Sequence, residues 1–196
     1  MLQKKDIIYE IYRDKRTVFS LNDIAQLIGE TNINLLKQKI NYYVKKGKLN
    51  NIRKGIYTKD MPEIDELACK IYKPSYISTE TVLQKSGVIF QYYSSKTMVS
   101  YLSREIEVDF PGKQITISFR KIKYDVLLNN KGIISLPSGI NEASPERAFL
   151  DTLYLMKDFY FDNINVLNKD KVYELLPIYK NGSLNKRVKK LLSKND

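Results

Sequence analysis

Between Ser20 and Lys59 the apolar residues recur twice with a helical period and then with the period of short strands. No other stretch constrains the fold as much. Leu21, Ile24, Ala25 and Ile28 fall at i, i+3, i+4 and i+7, one stripe along a helix. Ser20 stands before it as a capping hydroxyl, and Gly29 stands after it, where helices end in a left-handed residue. A second helix starts near Asn32, with Ile33, Leu36, Ile40, Tyr43 and Val44 on one side. At about 100° per residue, Asn34, Lys37, Gln38, Asn41, Tyr42 and Lys45 gather on another side. Gly47 closes this helix. Leu49–Arg53 and Ile56–Lys59 then read as two strands joined at Lys54-Gly55, with Arg53 and Lys54 at the hairpin tip.

Helix, tight turn, helix and basic hairpin is the order of a winged helix-turn-helix, which lays one helix in the DNA major groove. Asn and Gln can bond bidentately to adenine edges, and Lys can reach guanine or phosphate. Any solvated surface helix also carries Lys, Asn and Gln outside, so the distribution of charge has to separate the two readings. Residues 1–60 hold 13 Lys and Arg against 6 Asp and Glu, whereas the other 136 residues hold 20 against 16. Under a third of the chain therefore carries most of the net +11, as an electrostatic footprint on phosphate requires. The polar face of the second helix contains no acidic residue. The expected DNA-contacting residues are Asn34, Lys37, Gln38, Asn41, Tyr42 and Lys45 on the helix and Arg53 and Lys54 on the hairpin.

Composition narrows the chemistry. At 196 residues with 43% hydrophobic content, one or two small domains can each fill a core. No apolar run approaches the 18 or so residues of a membrane span, and the start MLQKKDIIYEIYRDK has no signal-peptide core. The single cysteine, Cys69, excludes an internal disulfide and fits a reducing, cytoplasmic location. It lies beside Leu67, Ala68 and Ile71, as a small core residue would. The chain has no histidine, which excludes Ser-His, Cys-His and His–metal chemistry, and no CxxC, Walker or GxGxxG motif. Carboxylates remain as conceivable metal ligands. Glu105, Glu107 and Asp109 alternate along a strand-like segment and project on one face, which is commonly a solvated face. The expectation is a protein that is not an enzyme and needs no cofactor or metal.

Beyond Lys59, MPEID reads as a linker. Ile64–Tyr72 is expected to be helical, and a capped helix from about Ser78 to Ser86 stops at Gly87. Strands follow at Lys96–Phe110, bounded by Pro111-Gly112, at Gln114–Tyr124 and at Ile133–Leu136. Ser144-Pro145 opens a helix whose body, ERAFLDTLYLM, reads as the buried centre of this region. Lys169–Leu176 and Leu184–Ser193 are two closing helices, the last with Lys and Arg opposite an apolar side. The fold class expected is α+β. A winged helix-turn-helix over residues 1–60 precedes a mixed α/β domain with a small antiparallel sheet over residues 61–196.

The N-terminal segment ending in RKGIYTK, then YISTETVLQKSGVI, the paired strands and ASPERAFLDTLYL together resemble the AbiEi antitoxins. These are the transcription-regulator halves of type IV toxin–antitoxin pairs. The resemblance runs from about Thr17 to Met156 in the same order and does not extend into the tail. It implies a cytoplasmic repressor that binds an inverted-repeat operator in double-stranded DNA at its own promoter. It implies further a C-terminal domain that counteracts a neighbouring, nucleotidyltransferase-like toxin. By position, the recognition helix is Asn32–Lys46 and the wing Lys48–Lys59. The residues leave two alternatives open: a winged-helix regulator without a toxin, and a metal-dependent nuclease using Glu105 or Asp109.

Overall fold

The computed structural model describes residues 6–110 and 113–193, so the expected Pro111-Gly112 boundary lies outside the described residues. The chain is of α+β class and divides into two compact units, Met1–Ile71 and Tyr72–Asp196.

In the first unit, α1 (Ile7–Arg13) is capped by Asp6, whose Oδ1 accepts the Ile8 N–H at 2.9 Å. Neither α1 nor β1 (Val18–Ser20) is evident in the sequence pattern, each being too short for its period to stand out. Helix α2 (Leu21–Ile28) begins with a capping box. Ser20 Oγ accepts the Asp23 N–H at 3.1 Å while Asp23 Oδ2 accepts the Ser20 N–H at 2.6 Å. Gly29, at φ 72°, ends it as expected. Helix α3 (Ile33–Lys45) follows, with Asn32 Oδ1 capping the Leu35 N–H at 3.1 Å. Strands β2 (Asn50–Arg53) and β3 (Ile56–Thr58) meet at Lys54-Gly55, where Gly55 at φ 79° supplies the left-handed residue of the tight turn. The strands form an antiparallel sheet in the order β1-β3-β2. Ile7, Ile11, Phe19, Ile24, Leu36, Ile40, Leu49 and Tyr57 fill the core beneath it.

Helix α4 (Ile64–Ile71) belongs to this first unit, so the division falls after Ile71 rather than after residue 60. Leu67, Ala68 and Cys69 are buried. The reason for its placement is polar as well as apolar. The buried carboxylate of Glu66 accepts the Thr17 N–H at 2.6 Å, the Thr17 hydroxyl at 2.8 Å and the Val18 N–H at 3.0 Å. It thereby satisfies backbone donors at the start of β1 that no strand pairs. Lys70 adds an ion pair to Asp23 at 2.7 Å.

The second unit is built on a six-stranded sheet in the order β6-β7-β5-β4-β9-β8. Its strands are β4 (Ser75–Ile77), β5 (Lys96–Ser100), β6 (Arg104–Phe110), β7 (Lys113–Lys121), β8 (Ile133–Ser135) and β9 (Asn141–Ala143). The sheet corrects the expected small antiparallel one, since β5 runs parallel to β7 and β4 parallel to β9. The expected strand over residues 96–110 is interrupted at residues 101–103, which lets β6 pair with the far side of β7. Strands β4 and β9 have three residues each, too few for alternation to reveal them. The expected strand reaching Tyr124 ends at Lys121, and α6 (Tyr124–Leu127) follows.

Helix α5 (Glu80–Lys85) starts later than the Ser78 cap suggests. Ser78 Oγ instead donates to Asp151 Oδ2 at 2.8 Å, and Thr79 precedes the helix at φ 51° without capping it. Helix α7 (Pro145–Leu155) is the expected central one, with Ser144 Oγ accepting the Arg147 N–H. Its centre is less apolar than it reads. Arg147 is fully buried and donates to the carbonyls of Val126 at 2.7 Å, Lys131 at 2.9 Å and Asn129 at 3.3 Å, and to the Tyr76 hydroxyl at 3.2 Å. Asp151, one turn on, lies 3.4 Å from Arg147 Nε and accepts the Tyr179 hydroxyl at 2.6 Å. Burial pushes the Asp151 carboxyl above the usual carboxylate range, against the pull of Arg147. Helices α8 (Lys169–Leu175) and α9 (Gly182–Leu192) close the chain.

Candidate nucleic-acid interface

Helix α3 owes its orientation to its apolar side. Leu36 and Ile40 are fully buried, while Tyr43 and Val44 are half-buried against the same core. Ile33, expected to share that side, is 38% exposed, because it begins the first turn where the helix has left the core. The opposite side faces solvent. Asn34, Lys37, Gln38, Asn41, Tyr42 and Lys45 are all exposed, so one surface strip presents two amides from Asn, one from Gln, two ammonium groups and a phenol.

Charge on this surface has one sign. From Thr31 to Lys59 there are eight Lys and Arg residues and no Asp or Glu. Glu30 lies just outside that stretch, at the turn between α2 and α3, and it acts on only one of the cations. Its Oε2 pairs with Lys39 Nζ at 3.1 Å while its Oε1 accepts the Asn32 N–H at 3.1 Å. Lys39 is thereby committed to holding the turn. Among the described residues, Lys37 and Lys45 have no carboxylate within 4.0 Å.

The hairpin supplies a second set of cations. Lys54 is exposed at its tip, and Arg53, opposite Ile56 in the ladder, is half-buried and engaged. Lys59, at the end of the expected wing, is turned inward. Its Nζ donates to the Tyr12 carbonyl at 3.4 Å and to that of Asp14, and it lies 5.8 Å from the centre of the Tyr12 ring. Burial lowers its pKa, with Asp14 and Glu66 opposing. Lys59 is thus an anchor for the hairpin and not one of its outward charges.

The structure adds residues to the face. Lys46 is exposed and places Nζ 5.8 Å from the centre of the Tyr42 ring, and Tyr42 meets Tyr43 edge to face at 5.5 Å. Lys48 is exposed too, with its backbone carbonyl accepting the Tyr12 hydroxyl at 3.1 Å. The run Lys45-Lys46-Gly47-Lys48 carried this signal, but only Lys45 falls on the helical period. The surface can therefore offer bidentate amide contacts in its middle and ammonium contacts at its borders.

The carboxylate row lies elsewhere. Glu105, Glu107 and Asp109 are exposed on β6, an edge strand, where Glu107 accepts from the Gln114 amide at 3.2 Å and Glu105 from the Ser118 hydroxyl at 3.4 Å. Among the described residues, no group of three or more Cys, Asp or Glu side chains converges as a metal site would require. No helix among them is long and apolar enough to cross a membrane. No protein-family model matches the chain, and no curated protein matches it.

Proposed function

We propose that the first unit is a winged helix-turn-helix that binds double-stranded DNA, with α3 as its recognition helix and the β2–β3 hairpin as its wing. The observation that carries this reading is the acid-free, solvent-facing strip of α3 opposite a buried apolar side. In such a complex Asn34, Gln38 and Asn41 read base edges, Lys37 and Lys45 reach phosphate or guanine, and Tyr42 contacts the border of the groove. Arg53 and Lys54 hold the adjoining backbone. The element order α1-β1-α2-α3-β2-β3 and the three-stranded sheet support it, since they are the parts such a domain uses.

The resemblance of the motifs to AbiEi antitoxins extends the proposal. The protein represses its own operon by binding an inverted repeat, and its second unit opposes a nucleotidyltransferase-like toxin encoded beside it. In this reading it is a cytoplasmic regulator and not an enzyme. A gel shift with the DNA upstream of the gene tests the first half, and a shift no stronger than with scrambled DNA defeats it. Co-expression with the adjacent gene tests the second half. Growth rescue supports it, and continued toxicity in the presence of this protein rejects it.

A further inference from the structure

On the winged-helix reading of the first unit, on which everything here rests, the side chains of α3 also narrow the base pairs that it can recognise. In the major groove guanine offers two acceptors, which Arg or Lys fills, and cytosine an amino donor, which Asp or Glu accepts. Adenine offers an acceptor beside a donor, the pattern that a single Asn or Gln amide matches with two bonds. Its partner thymine adds a methyl group. Helix α3 contains no Arg, Asp or Glu. It does carry three amides, on Asn34, Gln38 and Asn41, and all three are exposed. Asn32, just before the helix, uses its side chain as the cap. Among the described residues, nothing bonds the amides of Asn34, Gln38 or Asn41.

The spacing of these amides fits a duplex. At about 100° per residue they fall within about 60° of one another, away from the buried Leu36 and Ile40. At about 1.5 Å of rise per residue, Asn34 and Asn41 are about 10 Å apart along the axis, close to three base steps of about 3.4 Å. Leu35 and Tyr42 run beside the amides and are 41% and 57% exposed. The Tyr42 ring is held there, edge to face with Tyr43 at 5.5 Å and with Lys46 Nζ 5.8 Å from its centre. Apolar groups kept in solvent beside amides suit thymine methyl groups, which an A·T pair presents beside its adenine edge. The cations of α3 stand apart from this middle. Lys37 lies across the amide row from Tyr42, Lys45 ends the helix, and Lys39 is paired with Glu30 at 3.1 Å. Lys37 and Lys45 therefore suit the phosphates that border the groove.

We infer that α3 recognises a run of about three or four A·T pairs, with Asn34, Gln38 and Asn41 on adenine edges and Leu35 and Tyr42 against thymine methyl groups. In the test, the full chain selects duplexes from a pool with a randomised centre, and the recovered duplex is then altered one group at a time. Selection is expected to enrich an A·T run. Replacing one adenine of that run with 7-deazaadenine, which lacks N7, should weaken binding roughly two- to ten-fold, the worth of one hydrogen bond. Replacing one thymine with uracil, which lacks the methyl group, should weaken it roughly four-fold. These losses are also expected to depend on the protein. At one position the 7-deazaadenine loss disappears in Gln38→Ala, and at another the uracil loss disappears in Leu35→Ala. Both side chains are exposed, so neither variant threatens the fold. A bound pool that prefers G·C pairs or no sequence, or base replacements that change nothing, overturns the inference and leaves duplex binding standing. A chain that retains no duplex at all defeats the inference and the winged-helix reading together.

Discussion

Thr17 and Glu66, 49 residues apart, are joined twice, with the Thr17 N–H and hydroxyl donating to the same carboxylate oxygen at 2.6 and 2.8 Å. The Val18 N–H joins them at 3.0 Å, so one buried side chain of α4 satisfies the entry to β1. Glu66→Ala leaves these donors without a partner in or beside the interior. At about 1–3 kcal/mol for each stranded group, reduced because the half-buried Thr17 donors can turn to water, the expected loss is about 2–4 kcal/mol. Glu66→Gln, which keeps one acceptor oxygen, should lose about half as much. Urea denaturation measures both, and an alanine variant within about 0.5 kcal/mol of the parent would show that α4 is dispensable to the first unit.

The strip on α3 makes a prediction about sequence discrimination. Gln38→Ala with Asn41→Ala removes two amides from an exposed face, so stability should change little. Specific binding to the upstream DNA should fall by about 1–3 kcal/mol for each base no longer read, and binding to scrambled DNA should hardly move. Titrations against both duplexes separate the outcomes. Equal weakening on the two would assign these amides to the backbone and not to bases.

Arg53 and Lys54 should behave in the opposite way. Replacing both with Gln weakens all duplexes alike and lowers the salt slope by about 0.9 for each phosphate that is no longer neutralised. The slope of affinity against salt concentration is the measurement. A selective weakening for the operator, with the slope unchanged, would place the hairpin in a groove.

Acid should weaken the first unit through Asp14. The Arg16 guanidinium, at 2.6 Å, holds this carboxyl below its usual range, although burial opposes the shift. A folded-state pKa below the unfolded value means a contribution that is present above about pH 4 and lost as pH falls through the lowered value. Asp14→Asn should therefore reduce the melting temperature at pH 7, and the gap to the parent should close towards pH 3. A gap independent of pH would show that the pair contributes by packing alone.

Arg147→Met tests the centre of the second unit. It removes the cation beside the fully buried Asp151 and takes one donor away from each of the carbonyls of Val126 and Lys131. Breaking one side of such a pair costs about 3–5 kcal/mol. Arg147→Met with Asp151→Leu should recover part of it, since the stranded carboxylate is gone. A double variant no more stable than the single one would place the cost in the carbonyls.

The candidate face is legible in the sequence because it depends on a local rule. Asn34, Gln38, Asn41 and Lys45 share a side whatever α3 packs against, since 3.6 residues make a turn. Ionic state is not legible in the same way. Lys39 and Lys45 look alike in the sequence, yet Glu30 engages the first. Lys54 and Lys59 look alike too, and only Lys59 turns inward.

By itself, the sequence determined α2, α3, the hairpin and the capped start of α7, each specified by period, cap and glycine within about a dozen residues. Tertiary structure alone decided three things. It joined α4 to the first unit, it ordered six strands as β6-β7-β5-β4-β9-β8, and it buried Arg147 and Asp151 where the sequence reads as an apolar core. The physical reason is common to all three. A buried carboxylate, a parallel strand or a guanidinium in the interior is stable only with partners that lie far away in the chain. Local pattern carries no information about where those partners arrive.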